Sequence, residues 1–153
     1  MFSGSFQQAI DSKNRIVIPA KFRQFIEDER DRRGFIITSY GVEREKYLML
    51  YTPSVWKEVI GRAKDVSSRS ENATEMLRFI SANAEYSSID KQGRLVIPQK
   101  LLEIASLKRD VMIVGIVNRI EVWNLEDWSR KSESVKKEYV KDLADIQKEL
   151  FKF

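Results

Sequence analysis

Short runs of apolar, mostly β-branched residues recur along the chain and predict buried strands. The runs at residues 16–18 and 95–97 each end at a proline, which cannot donate a hydrogen bond to a sheet. Longer apolar runs predict two pairs of antiparallel strands, namely residues 35–38 with 46–51, and residues 111–114 with 120–123.

Apolar residues at helical spacing predict helices between and after these strands. Pro19 and Pro98 suit the first position of a helix, and one apolar stripe follows each of them: Phe22, Phe25 and Ile26, then Leu101, Leu102 and Ala105. Two further helices are predicted at residues 55–64 and 74–84, with the polar stretch 65–72 as a linker. A long C-terminal helix is predicted from Asn124 toward Leu150, with Trp128, Val135, Tyr139, Leu143 and Ile146 on its apolar side.

An internal repeat is the strongest pattern in the chain. Residues 10–22 recur 79 positions later as residues 89–101, with Asp, Arg, Val, Ile, Pro and Lys identical at matching places. A second match, residues 50–56 with 122–128, is offset by 72, so the second copy is seven residues shorter. The extra residues of the first copy fall near the charge-dense stretch 27–34, which we interpret as a solvated loop.

The repeat predicts the organisation of the fold. A unit of about 45 residues buries too little surface to be stable alone, so the two copies must pack together. We expect a mixed fold, mainly β with helices: a pseudo-twofold β-barrel of two half-barrel repeats that closes its strand edges, plus a long C-terminal helix. The predicted boundaries are 5–53 for the first repeat, 54–83 for a helical connector, 84–126 for the second repeat and 127–153 for the C-terminal helix.

Composition narrows the classes of function. The 153 residues include no His and no Cys, which removes disulfides, most metal sites and most nucleophilic or general-base catalysis near neutral pH. We therefore expect no enzyme, no cofactor and no metal site. Residues 1–6 lack the features of a secretory signal, and no apolar stretch approaches the roughly 18 residues that span a bilayer. A soluble, cytoplasmic protein with no membrane partner is expected.

The two turns of the repeat need an unusual backbone conformation. Asn14 in the first copy matches Gly93 in the second, and the two residue types share a tolerance of positive φ. Asp11 and Asp90, three residues earlier, can accept backbone N–H hydrogen bonds as in Asx turns. The Asp and Arg of each copy can form a salt bridge that holds the turn or can contact a ligand, and the two roles are compatible.

Basic residues cluster on the repeat, although the net charge of +4 is too small to identify a partner. The first copy has a local charge of +3 and the second +2; the charged residues are Lys13, Arg15, Lys21, Arg23 and Asp11 in the first, and Lys91, Arg94, Lys100 and Asp90 in the second. A guanidinium can bind guanine or phosphate with two hydrogen bonds, so Arg15 is our first candidate for a nucleic-acid contact. For Lys21 and Lys100, a solvated helix face is the alternative.

The motif Asp-x-x-x-Arg, followed by an apolar triplet and Pro, occurs twice after the opening Met1-Phe2-x-Gly4. Together with Gly115-x-x-x-Arg119-x-Glu121-x-Trp123, it resembles the MraZ family over nearly the whole chain except the polar C-terminal tail. The resemblance implies a bacterial DNA-binding transcriptional regulator with two SpoVT/AbrB-like domains. It further implies rings that associate with the nucleoid and bind short repeats in the promoter of the division and cell-wall gene cluster. The family usually has Gly where this chain has Asn14, which stiffens the turn and adds an amide near a phosphate or base edge.

The expected partners are therefore double-stranded DNA and further copies of the same chain. Neutralising about three phosphates per protomer would give a salt slope of only about −3, so a single protomer would bind weakly. A ring on repeated sites would add avidity.

Other interpretations stay open at this stage. AbrB-like barrels also serve as antitoxins, so the chain could bind a partner protein instead of DNA, and Asp/Glu pairs could in principle support catalysis without His or Cys. Trp56, Trp123 and Trp128 could stack on nucleic-acid bases, although their apolar stripes favour packing. For the C-terminal helix we favour protein contact over nucleic-acid contact.

Overall fold

The computed structural model describes residues 1–42, 45–138 and 140–152. Within them, pairs of strands are separated by helices in both repeats. The strands are β1 (Phe2–Ala9), β2 (Arg15–Val17), β3 (Gly34–Val42), β4 (Glu45–Tyr51), β5 (Glu85–Ser88), β6 (Arg94–Val96), β7 (Asp110–Val117) and β8 (Arg119–Asn124). The α-helices are α1 (Ala20–Gln24), α2 (Pro53–Ser67), α3 (Glu71–Ala82), α4 (Gln99–Ile104), α5 (Leu125–Glu138) and α6 (Val140–Leu150), with one 3₁₀ turn at Asp31–Arg33.

Six of the strands form one antiparallel sheet in the order β1-β7-β8-β4-β3-β5. The order is symmetric about the β8–β4 pair, as expected for a pseudo-twofold duplication. Each repeat contributes its first strand to the other repeat's half of the sheet, since β1 pairs with β7 and β5 pairs with β3. The mixed fold class is confirmed, whereas barrel closure is not, because β1 and β5 are the two ends of this order in the described chain.

The remaining strands, β2 and β6, pair with each other as a short antiparallel ribbon in which Ile16 lies opposite Leu95. Both of these side chains are buried, and they face the sheet. Because side chains alternate along a strand, the residues on either side of them point the other way. The outward face of the ribbon therefore consists of Arg15, Val17, Arg94 and Val96.

The main core lies between the ribbon, the helices α1 and α4, and one face of the six-stranded sheet. Phe22 of α1 is fully buried there, with its ring edge-on to Phe2 at 5.7 Å and to Phe6 at 5.3 Å. Pro19 and Pro98 directly precede their helices and occupy the capping position, one residue earlier than the sequence pattern predicted. The fixed φ of proline still orients the chain for the first turn.

A second apolar cluster covers the opposite face of the sheet. Trp123 stacks on Tyr47 at 4.3 Å and meets the Trp128 ring edge-on at 5.6 Å. The Trp56 ring of α2 packs against Tyr51 at 5.8 Å. The packing role favoured for the three tryptophans agrees with these contacts, because their rings are engaged within the fold.

A buried carboxylate lies within this second cluster. Glu121 is only 5% exposed, and it accepts hydrogen bonds from Arg119 Nη2 at 2.8 Å and from Trp123 Nε1 at 2.9 Å. Burial disfavours the charge of Arg119, but the hydrogen bond to Glu121 and the attraction of that carboxylate together raise the arginine pKa above its ordinary value. Burial raises the pKa of the neighbouring Tyr47 hydroxyl, and the charge of Glu121 adds to the shift. The cluster therefore favours a neutral Tyr47 hydroxyl and a charged Arg119 guanidinium.

Several local predictions need correction. Phe25 was predicted on the buried stripe but is 47% exposed, because α1 ends at Gln24 and the chain turns there. The linker expected at 65–72 is mostly helical, since α2 continues to Ser67 and α3 begins at Glu71. In the charge-dense stretch 27–34, Asp31 is buried and accepts hydrogen bonds from Ser54 N and Oγ, both at 3.0 Å, at the start of α2. That part of the stretch is therefore not a solvated loop.

The C-terminal region is helical on both sides of position 139, in α5 and α6, as predicted. Tyr139 itself lies outside the described residues. Along α6, Ile146 and Leu150 are exposed. Within the described ranges, no helix has the length and apolar character needed to cross a membrane.

The contrast between Phe22 and Phe25 is testable. We expect Phe22→Ala to lower the free energy of unfolding by about 3–5 kcal/mol, because it opens a cavity in the main core. Phe25→Ala is the matched control and should cost less than about 1 kcal/mol. Urea denaturation at one fixed protein concentration measures both. Equal losses would contradict the placement of the two rings.

Candidate nucleic-acid interface

Each copy of the repeated motif forms a turn closed by an aspartate. In the first turn, Asp11 Oδ1 accepts hydrogen bonds from the backbone N–H of Lys13 at 3.0 Å and of Arg15 at 2.8 Å. Asp11 Oδ2 accepts a further bond from Arg15 Nε at 2.7 Å. The carboxylate thus binds both the backbone of the turn and the side chain of Arg15, the first residue of β2.

The second turn repeats this arrangement closely. Asp90 Oδ1 accepts from the backbone N–H of Gln92 and of Arg94, both at 2.9 Å, and Asp90 Oδ2 accepts from Arg94 Nε at 2.7 Å. Asn14 and Gly93 have φ of 60° and 79°, the left-handed conformation that their exchange between the copies predicted. The two sequence motifs are therefore two copies of one three-dimensional turn.

Hydrogen bonding keeps both aspartates charged. The backbone N–H of Arg15 is the main cause that lowers the pKa of Asp11, and burial opposes it only in part. The backbone N–H of Arg94 lowers the pKa of Asp90 in the same way. Each carboxylate is therefore available to orient its arginine at all but strongly acidic pH.

The arginines are oriented but not enclosed. Their side chains are 23% exposed for Arg15 and 35% exposed for Arg94. The salt bridge to aspartate uses Nε, and among the described residues no partner binds the two Nη atoms of either guanidinium. The free Nη edge is the part of the group that can bind a phosphate or the edge of guanine.

The ribbon places the arginines of both turns on one surface. Arg15 lies opposite Val96, and Arg94 lies opposite Val17, so the two arginines occupy diagonal positions on the outward face. Diagonal neighbours of an antiparallel pair lie about 7–8 Å apart. Val17 and Val96 between them are 43% and 47% exposed, so this face is not covered by the rest of the fold.

The other predicted basic residues lie in the turns and on the short helices α1 and α4. Lys13 and Lys91 are exposed within the turns, and Lys21 and Lys100 are exposed on α1 and α4. Arg23 differs from them because it is half-buried, and its guanidinium packs against Gly93 of the other repeat. Of the eight predicted contact residues, Arg15 and Arg94 lie on the ribbon and Lys13, Asn14 and Lys91 in the turns, whereas Lys21 Nζ lies near Gly4 of β1.

Two features of this surface were missed from the sequence. Gln8 completes the free edge of β2, accepting a hydrogen bond from Val17 N at 2.8 Å and donating one to Val17 O at 2.7 Å. Ser87 donates to Val96 O at 2.7 Å on the matching edge of β6. The two residues are 79 positions apart and so belong to the repeat, but they differ in type, which hides them from a search for identity.

The described part of the chain brings no three acidic side chains together as a metal site. Chemically, the surface offers guanidinium groups held by hydrogen-bonded turns, together with exposed ammonium groups. The fold and this surface define a class of duplicated protein with twin cationic turns on a shared ribbon.

Comparison with known proteins identifies the family. A family model described as MraZ protein, antitoxin-like, matches residues 1–79 and again residues 80–149. Relatives named "Transcriptional regulator MraZ" include those of Clostridium acetobutylicum (37% identity over 88% of this chain and 89% of the relative) and Pediococcus pentosaceus (35% over 95% of each). That of Desulforamulus reducens is 33% identical over 95% of this chain and 99% of the relative. The chain belongs to the MraZ family, which confirms the resemblance found in its motifs, and this family is one of transcriptional regulators.

The turn carboxylates provide a direct test of the site geometry. A carboxyl group whose pKa is lower in the folded protein stabilises the fold at every pH above its unfolded-state pKa, here 3.8. This stabilisation is lost as the pH falls through the folded-state pKa. We therefore expect the carboxyl carbons of Asp11 and Asp90 to titrate below pH 3.8 in an NMR experiment.

The variant Arg15→Ala separates the causes of the shift. It removes the side-chain bond but leaves the backbone N–H, so the Asp11 midpoint should rise only part of the way, while the Asp90 midpoint stays unchanged. A wild-type midpoint at or above 3.8 for either residue would contradict the hydrogen-bonded turn.

Proposed function

We propose that the chain regulates transcription by binding double-stranded DNA sequence-specifically, as a homo-oligomeric ring on short promoter repeats. By resemblance, the promoter is that of the division and cell-wall gene cluster. The observation that carries this proposal is the pair of aspartate-held arginines, Arg15 and Arg94, which share the uncovered face of the ribbon with their Nη edges free. Such a protein would work at the nucleoid, within the cytoplasm.

The residues divide by chemistry within this proposal. Arg15 is the first candidate for a base or phosphate contact, with Arg94 as its counterpart. The amide of Asn14 can approach a base edge or phosphate beside it. Asp11, Asp90 and Gly93 form the turns. The remaining cations position the DNA backbone: Lys13, Lys21, Arg23, Lys91 and Lys100.

Assembly into a ring would raise the affinity for DNA, which is low for a single protomer. Each ribbon offers only a few cations, and a salt slope of about −3 corresponds to weak binding at physiological ionic strength. Several ribbons on a common surface would make the second and later contacts intramolecular, which raises avidity by orders of magnitude. A ring therefore fits a promoter with repeated sites.

The role of Arg15 is tested with the DNA upstream of the protein's own gene. We expect Arg15→Ala to abolish specific retention in an electrophoretic mobility assay, since one bidentate contact is worth about 1–3 kcal/mol and the loss recurs in every protomer. The control is Arg62→Ala on α2, where the arginine is 75% exposed and pairs with Glu58. Unchanged affinity of Arg15→Ala, with the oligomer intact, would reject the assignment.

The assembly is tested by light scattering together with footprinting on the same DNA. We expect a closed oligomer, and protection that recurs at the spacing of the promoter repeats. A monomer that binds with full affinity, or a single unrepeated footprint, would contradict the ring.

A second candidate function is a protein-binding module, which the antitoxin-like description of the family favours. In that case wild-type protein would retard no upstream DNA and would instead co-purify with a partner protein. Retardation that weakens progressively as salt rises would support the regulator.

A further inference from the structure

The helix of each repeat lies against the turn of the other repeat. Ile18, at the entry to α1, donates its backbone N–H to Gly93 O at 2.8 Å, and Ile97, at the entry to α4, donates to Asn14 O at 2.8 Å. The side chains of α1 therefore complete the second turn, and those of α4 complete the first. Any difference between the two helices becomes a difference between the two turns.

At the second turn, α1 supplies a cation. Arg23 Nε donates to Ile18 O at 3.1 Å, and this bond holds the guanidinium against the Cα of Gly93. A Cβ at position 93 would stand 2.8 Å from Arg23 Cζ, so the guanidinium in this position occupies space that a side chain at residue 93 would need. Within the described ranges no carboxylate pairs with Arg23, whereas Arg15 and Arg94 each have an aspartate.

At the first turn, α4 supplies amides and an anion. Asn14 Nδ2 donates to Gln99 Oε1 at 3.1 Å, and Gln99 Nε2 donates to Glu103 Oε1 at 3.1 Å. A chain of side-chain hydrogen bonds thus connects the turn to a carboxylate. The amide of Asn14 is held in one orientation, and its Oδ1 has no partner among the residues that the structure describes.

The repeat offset of 79 identifies equivalent residues in the two helices, and two of these pairs differ in charge. Arg23 corresponds to Leu102, and Gln24 corresponds to Glu103, so the second turn is more positive than the first by two charges there. The other cations of the two sites balance: Arg15 with Arg94, Lys13 with Lys91, Lys21 with Lys100, and Arg32 and Arg33 with Lys108 and Arg109. The extra stretch of the first repeat has four acidic residues: Asp28 pairs with Arg30, Asp31 binds Ser54, and Glu27 and Glu29 are exposed. The difference of two charges therefore refers to the two helix positions alone.

We propose that the two turns have different tasks, and that Arg23, seated on Gly93, makes the second turn a phosphate-binding site while the first turn reads bases through Arg15 and Asn14. This inference rests on the proposed DNA-binding function. Its ligand is a phosphodiester oxygen, which a guanidinium without a carboxylate partner binds strongly and without regard to sequence. The first turn, with a fixed amide and a neutralising carboxylate, suits base edges instead.

Two glutamine variants separate these tasks. Arg23→Gln and Arg15→Gln each remove one positive charge, one at each turn, and each is measured on promoter DNA and on a scrambled duplex over a range of salt concentrations. We expect Arg23→Gln to weaken binding to both duplexes by the same factor and to reduce the salt slope by about 0.9 per protomer. We expect Arg15→Gln to lower the ratio of promoter to scrambled affinity.

Two further variants extend the test, and the first of them keeps it independent of folding. Arg23→Lys retains the charge without the guanidinium and should recover most of the salt slope, even if Arg23→Gln is unstable. Gly93→Ala places a methyl group against the guanidinium at a strained φ, and it should weaken binding to both duplexes equally, as Arg23→Gln does.

The outcomes distinguish the two levels of the proposal. Wild-type protein that retards neither duplex would overturn DNA binding itself, and the division of tasks with it. Wild-type binding with an unchanged salt slope in Arg23→Gln, or with the same loss of specificity in Arg23→Gln and Arg15→Gln, would overturn the division of tasks alone.

Discussion

The pairing of β2 with β6 is the contact on which the rest of the molecule depends. Three residues from each repeat form this ribbon, and Ile16 and Leu95 anchor its inner side in the main core. Because the pairing is antiparallel and the register is centred on these residues, the two turns lie at opposite ends of the ribbon and their arginines share its outer face. A slip of either strand by one residue would turn that strand's arginine inward and its core residue outward. The same contact therefore sets both the stability of the fold and the geometry of the surface.

The two repeats exchange elements, and the exchanged elements hold that ribbon in place. Each repeat gives its first strand to the other half of the sheet, and each short helix lies on the other repeat's turn. Helices of five and six residues would not be stable in isolation, so their position depends on this packing. Because of this exchange, the surroundings of each turn include residues from both repeats. Two nearly identical motifs can then acquire different chemistry from the helices beside them.

Much of the fold and of the site follows from local pattern. The strands, the duplication, the positive φ at Asn14 and Gly93, and the Asp–Arg pairs are properties of short segments with strong preferences. Phe25 and Asp31 were misplaced because burial depends on where a helix ends and on which distant element covers it. The charge of +3 counted for the first copy includes Arg23, whose guanidinium lies in space against the second turn.

The amino-acid sequence by itself determined that the chain is duplicated, which residues turn the backbone, and which cations each repeat carries, because backbone preferences and charge act over a few residues. Only the tertiary structure decided which helix meets which turn, that Gly93 lies beneath Arg23, and that Asn14 is connected to Glu103 through Gln99. Those contacts join residues roughly 70 to 85 positions apart. They arise from the swapped packing of two similar units, and similarity within a sequence does not reveal which unit packs on which.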